Sequence, residues 1–244
     1  MRSFPVIVIS AILVAFPVQV LTQDGNARDE ADSDYRKLEK AFREAAGPDL
    51  RFINGYEYTD RFPGTRGTPF FPSDIWYIGD LYMNGKSYTG LALRYDIFRD
   101  QLIYNHILTT GNYMVVLNKT RVDSFIIDGR QFCKLEIPRG SMGEKKEAYY
   151  EVLSTGRASL FVKWSARLSE PSPGSNGEFS RFSEWYILNQ GRFIRVYRRA
   201  GILNALEDKE KEIRNFIREN KIIVKPGNED DIRRIVDHYN RLSP

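Results

Sequence analysis

The stretch Tyr82–Asp96, YMNGKSYTGLALRYD, decides how the rest of the chain is read. Asn84-Gly85 suits a two-residue type I′ hairpin turn, because both central residues of that turn need positive φ. Beyond the turn, Leu91, Leu93, Tyr95 and Ile97 alternate with Ala92, Arg94 and Asp96. A period of two marks a strand with one face on a core and one toward water. The fragment is therefore one corner of an antiparallel sheet.

The same grammar recurs on both sides of it. Asp128-Gly129, Thr155-Gly156 and Asn189-Gln190-Gly191 each separate strand-like runs. The pattern predicts strands at Asp80–Met83, Lys86–Asp96, Gln101–Ile107, Tyr113–Leu117, Val122–Ile127 and Arg130–Ile137. More follow at Tyr149–Ser154, Arg157–Arg167, Phe179–Leu188 and Arg192–Tyr197. Short strands at hairpin spacing, with no repeating block, predict a mainly β (α+β) fold: an antiparallel meander forming a curved sheet or partial barrel.

Arg157–Arg167 predicts a strand half in water. Ala158, Leu160, Val162, Trp164 and Ala166 share one face, and Arg157, Ser159, Lys163, Ser165 and Arg167 share the other, interrupted by Phe161. Tyr113–Leu117 and Phe125–Ile127 are apolar on both faces and require a cover. The C-terminus supplies one. Leu206, Ile213, Phe216 and Ile217 form a helical stripe over Leu206–Asn220, and Ile232, Ile235, Val236, Tyr239 and Leu242 form another after an Asn228 N-cap. This helical pair, at about 206–242, is expected to close the sheet. Phe62–Asp74 and Leu168–Glu178 read as loops rich in Pro and Gly.

The N-terminal stretch is different in kind. Arg2 followed by the apolar run Phe4–Phe16 has the form of a secretory signal, too short for a membrane span, with cleavage expected after Thr22. Residues 23–34 read as a disordered acidic tether, and Tyr35–Ala46 as an amphipathic N-terminal helix opening a single β-rich domain over 35–244. No transmembrane segment is expected once the signal is removed. Cys133 is the one cysteine, so no internal disulfide is available, which suits a bacterial envelope better than a eukaryotic secretory route.

The order Asn54-Gly-Tyr-Glu-Tyr58, Gly67-Thr-Pro-Phe-Phe71, Tyr82–Tyr88 and Leu93–Ile97 resembles a group of exported Bacteroidota-type proteins of unassigned function. The ending KEKEIRNFIRENKIIVKPGNEDDIRRIVDHYN is similar to theirs as well. The resemblance implies export to a periplasmic, outer-membrane-associated or extracellular location. It carries no catalytic residue and no substrate.

Composition narrows the chemistry. Cations number 36 against 32 anions, a formal +4 that is spread along the chain; nucleic-acid binding needs that charge clustered on one face, and no nucleic acid is expected as partner. His106 and His238 are the only histidines, with no spacing of ligands for a metal and no nucleophile elbow, so neither metal nor cofactor is expected. Cys133 reads as a buried, inert thiol. Asp96 and Asp100 flank a turn, as Asp74 and Asp80 bracket IWYIG; such pairs serve acid–base chemistry, yet turn aspartates more often bond nearby backbone amides.

One strip stands out for binding. In GRFIRVYRRA, Phe193, Arg195, Tyr197 and Arg199 fall on one face of a continued strand, an arrangement that grips anionic head groups or glycans. The leading expectation is a non-catalytic exported envelope protein that binds an envelope protein, lipid, glycan or apolar ligand through its curved sheet. The alternatives are a hydrolase using carboxylates such as Asp96 and Asp100, and a structural subunit of an envelope assembly.

Overall fold

A computed structural model describes residues 53, 55–59, 62–108, 111–139, 144–170, 176–225 and 227–242. The signal-like run, the acidic tether and the expected helix Tyr35–Ala46 lie outside the described residues, as do 171–175 of the second Pro/Gly loop. The described residues belong to one compact unit, Arg51–Pro244.

Among them the chain forms twelve strands: β1 Gly55–Glu57, β2 Phe70–Phe71, β3 Tyr77–Met83, β4 Lys86–Asp96, β5 Gln101–Leu108, β6 Gly111–Leu117, β7 Val122–Ile127, β8 Arg130–Arg139, β9 Glu144–Ser154, β10 Ala158–Leu168, β11 Phe179–Asn189 and β12 Arg192–Val196. Helices α1 (Arg199–Ala205), α2 (Glu210–Glu219) and α3 (Glu229–Leu242) follow, with a 3-10 turn at Glu207–Lys209. The antiparallel, β-dominated fold with its C-terminal helical pair is the one the alternation predicts. Asn84 and Gly85, at φ 51° and 72°, and Asp128 and Gly129, at 51° and 68°, take the paired positive φ of their turns.

The sheet order is β1-β6-β5-β4-β3-β7-β8-β9-β10-β11-β12, with β2 beside β4. Its roll follows from one short link. β6 and β7 lie four strand spacings apart in that order and run parallel, yet only Asn118–Arg121 joins them. On a flat sheet those spacings span roughly 19 Å, more than four linking residues reach while also traversing a strand length. The sheet must curl until the end of β6 meets the start of β7. Its interior is then closed by side chains: Leu81, Leu93, Tyr95, Leu102, Leu117, Val122, Phe125, Phe132 and Tyr149 are buried in one cluster.

Two segments depart from expectation. Phe62–Asp74 is more than a loop, since Phe70 and Phe71 pair with Asp96 and Tyr95 of β4. Upstream, Arg66 accepts from Phe179 N–H at 2.9 Å and donates to Gly177 O at 3.1 Å, so residues 66–71 form a strap from the start of β11 to β4. Gly67, at φ 70°, lies so near Phe179 O that a Cβ would sit 2.9 Å from it. The second departure is α1, which begins seven residues before the helix predicted at Leu206; Ile202, Leu203 and Ala205 are its buried face. The helices cover β10–β12: Ala158, Leu160, Val162, Trp185 and Ile187 pack on Ile202, Ile213, Ile217, Ile232, Ile235, Val236 and Tyr239.

The face of β10 that alternation predicts in water is partly covered, together with the adjoining face of β8 and β9. Phe161, Tyr150, Ala148 and Ile137 are buried there, flanked by Cys133, Leu135, Tyr186 and Phe193. Lys163, expected in water, is only 12% exposed.

Candidate functional site

Two polar constellations meet the rolled interior. The first forms where the strap crosses the sheet. Phe71 stacks on Trp164 of β10, centroids 4.4 Å apart, and meets Phe132 edge-on at 6.0 Å. The ring, 2% exposed, carries two guanidiniums: Arg130, opening β8, at 5.3 Å and Arg181 of β11 at 4.9 Å. Each is held in place. Arg130 donates from one terminal nitrogen to both oxygens of Glu151, at 2.9 and 3.1 Å, and Trp164 Nε1 donates to the same carboxylate at 2.6 Å. Arg181 donates to Phe70 O at 2.9 Å and has no carboxylate partner among the described residues.

The charges are therefore two cations to one buried anion. Burial pushes the Glu151 carboxyl above its usual range, an effect the Trp164 and Arg130 hydrogen bonds oppose. Burial, and then the neighbouring Arg130, draw Arg181 below the usual guanidinium value. Glu229 of α3 accepts from Ser183 of β11 at 3.2 Å.

The second constellation centres on Asp100, a non-glycine residue at φ 58° in the β4–β5 turn. Lys119 and Lys163 donate to its two oxygens, and Tyr95 Oη donates at 2.6 Å. Lys119 also reaches Glu147 O at 3.1 Å. The site lies where β9 and β10 part: their pairing covers only Leu160–Val162, though β10 runs on to Leu168. Although burial acts the other way, the two ammonium groups hold Asp100 below the usual carboxylate range. Tyr149 Oη, fully buried beside it, has no hydrogen-bond partner among the described residues.

The residues singled out by sequence fare unevenly. Asp96 is fully buried; its oxygens accept from Phe98 and Arg99 N–H at 2.9 Å and from the Arg99 guanidinium at 3.0 Å. Asp96 and Asp100 thus do not offer a substrate two carboxylates in common. Asp74 pairs with Arg94 at 3.2 Å. Of Phe193, Arg195, Tyr197 and Arg199, the first two lie on one face of β12, and Arg199 opens α1. Phe193 packs with Phe161, Arg195 bonds Glu184 and lies 4.5 Å over the exposed Tyr197, and Arg199 donates to Arg214 O. The strand ends at Val196, so the alternation that aligned them stops there.

His106 meets Tyr104 Oη at 3.3 Å, and His238 stacks on Phe216 at 3.9 Å. Among the described residues no three His, Cys, Asp or Glu converge as a metal site, and no helix is long and apolar enough to cross a membrane. Sequence reasoning missed Phe71, Arg130, Arg181 and Glu151, which come from four separate segments. The only local signal was the aromatic run within the strap. No family model, curated protein or solved structure matches this chain.

Proposed function

We propose that the protein is an exported, non-catalytic binding protein of the cell envelope, which engages an anionic ligand or partner where the strap crosses the curved sheet. One observation carries this reading: Arg130 and Arg181 rest on a single Phe71 ring, and the carboxylate beside them, Glu151, is bonded to Arg130. Both are oriented before any ligand arrives, which lowers the ordering cost of recognition. The side chains filling the rolled interior favour binding at this rim over an apolar ligand inside. The signal-like N-terminus and the resemblance to exported Bacteroidota-type proteins support the envelope location.

Native mass spectrometry of protein purified from its own envelope tests the reading. The wild type should carry a non-covalent adduct, and Arg181→Glu should lose it while keeping its circular dichroism spectrum. A bare wild-type mass, or an adduct indifferent to Arg181→Glu, refutes the proposal.

A further inference from the structure

We infer that the group recognised at the strap is a monoanionic carboxylate carried by a small molecule or sugar residue, seated on the unclaimed N–H edges of Arg181 and Arg130. The inference rests on the binding reading above and adds its chemistry.

Three features lead to it. A guanidinium has five N–H donors; Arg130 directs one terminal nitrogen at Glu151, and Arg181 one at Phe70 O. Among the described residues the remaining donor edges of these two planar cations meet no acceptor, and both cations stand over one ring. Planar forks match the two oxygens of a carboxylate in a bidentate way.

The second feature is repulsion. Like charges held together by packing are stabilised when an anion bridges them, and the first carboxylate in place, Glu151, is already engaged by Arg130 and Trp164. The third is the sign of what lies beneath. Glu151, whose side chain is 4% exposed, opposes a second negative charge on the ligand. One charge completes the balance and two overfill it, which favours carboxylate over phosphate dianion. An anionic membrane surface is the weaker fit, because it draws on several cations spread over an open face. Here two share one ring.

The test uses the full chain without its first 22 residues and follows the indole N–H of Trp164 by NMR. D-galacturonate is titrated against D-galactose, with glycerol phosphate and phosphatidylglycerol vesicles as the other arms. Galacturonate should shift the resonance saturably and galactose should not. Arg181→Gln should weaken the galacturonate response about tenfold or more, and Arg218→Gln on α2 should leave it unchanged. Equal responses to galacturonate and galactose overturn the inference, as does stronger binding of glycerol phosphate or vesicles. If galacturonate fails while Arg181→Glu still strips the envelope adduct, the carboxylate assignment falls and the binding reading stands. If the adduct is indifferent to that substitution, both fall.

Discussion

Asp100 shows how one side chain joins parts of the chain that are remote in sequence. Its carboxylate holds Lys119 and Lys163 and accepts from Tyr95, so removing its charge strands two ammonium groups in a largely buried place. Asp100→Asn should cost about 3 kcal/mol of stability, measured by urea unfolding at pH 7. The sign with pH follows from its lowered pKa. The contribution is complete above the unfolded value of about 3.9 and is lost as pH falls through the lower folded value. The wild-type urea midpoint should therefore drop at acid pH by an increment that Asp100→Asn lacks. Glu151 has the opposite sign. Burial raises its folded pKa, so acidification toward the unfolded value of about 4.3 favours the folded state, and Glu151→Gln should abolish that gain. Cys133 is half-buried, less enclosed than the sequence suggests. Burial pushes its thiol up to about 11, and native alkylation should run about 100-fold slower than in urea.

At the scale of elements, the close approach of β3 and β7 depends on a missing side chain. A Cβ at Gly79 would stand 2.1 Å from Ile126 O, which is backbone and cannot swing aside. Gly79→Ala should destabilise by about 2 kcal/mol or more, read as a lowered thermal midpoint, unless the β3–β7 pair changes register. The helical cover has its own pin. Tyr239 of α3 is fully buried, and its Oη donates to Asp208 at 3.0 Å beside Asn189, whose amide donates to Ala205 O at 2.9 Å. Tyr239→Phe keeps the ring and leaves Asp208 short of a donor, a loss of about 1 kcal/mol in the same unfolding assay. Asn240 adds a second fastening, accepting from Ala158 N–H and donating to Ala158 O, both at 2.9 Å.

At the scale of the whole described unit, the roll is closed by unequal means. Strands β3, β7 and β8 are joined by backbone ladders over an aromatic core, with Phe125 stacked on Phe132 at 4.9 Å. The strap reaches β11 through the Arg66–Glu178 bridge with its two backbone hydrogen bonds, the Arg181 hydrogen bond to Phe70 O and the edge-to-face trio of Phe62, Phe98 and Phe179. A closure with so few bonds opens more easily than the ladders. In native-state hydrogen exchange the amides of Arg66 and Phe179 should exchange well before those of Leu81 and Phe125. Equal protection would mean that the strap opens only with global unfolding.

The sequence by itself determined the local parts: which runs alternate, where Asn-Gly and Asp-Gly reverse the chain, and which late segments carry a helical apolar stripe. These are legible because φ, ψ and side-chain period are set by a residue and its near neighbours. The candidate site was not legible. Phe71, Arg130, Glu151, Trp164 and Arg181 are each unremarkable in their own segments, and Lys163 reads as a solvated lysine on a strand's wet face. Only the tertiary structure decided that they meet, because β3 turns from β4 to β7 and the sheet rolls until the strap spans β4 and β11. That curvature is a sum of twists and non-local pairings over many strands, and no short window of sequence contains it.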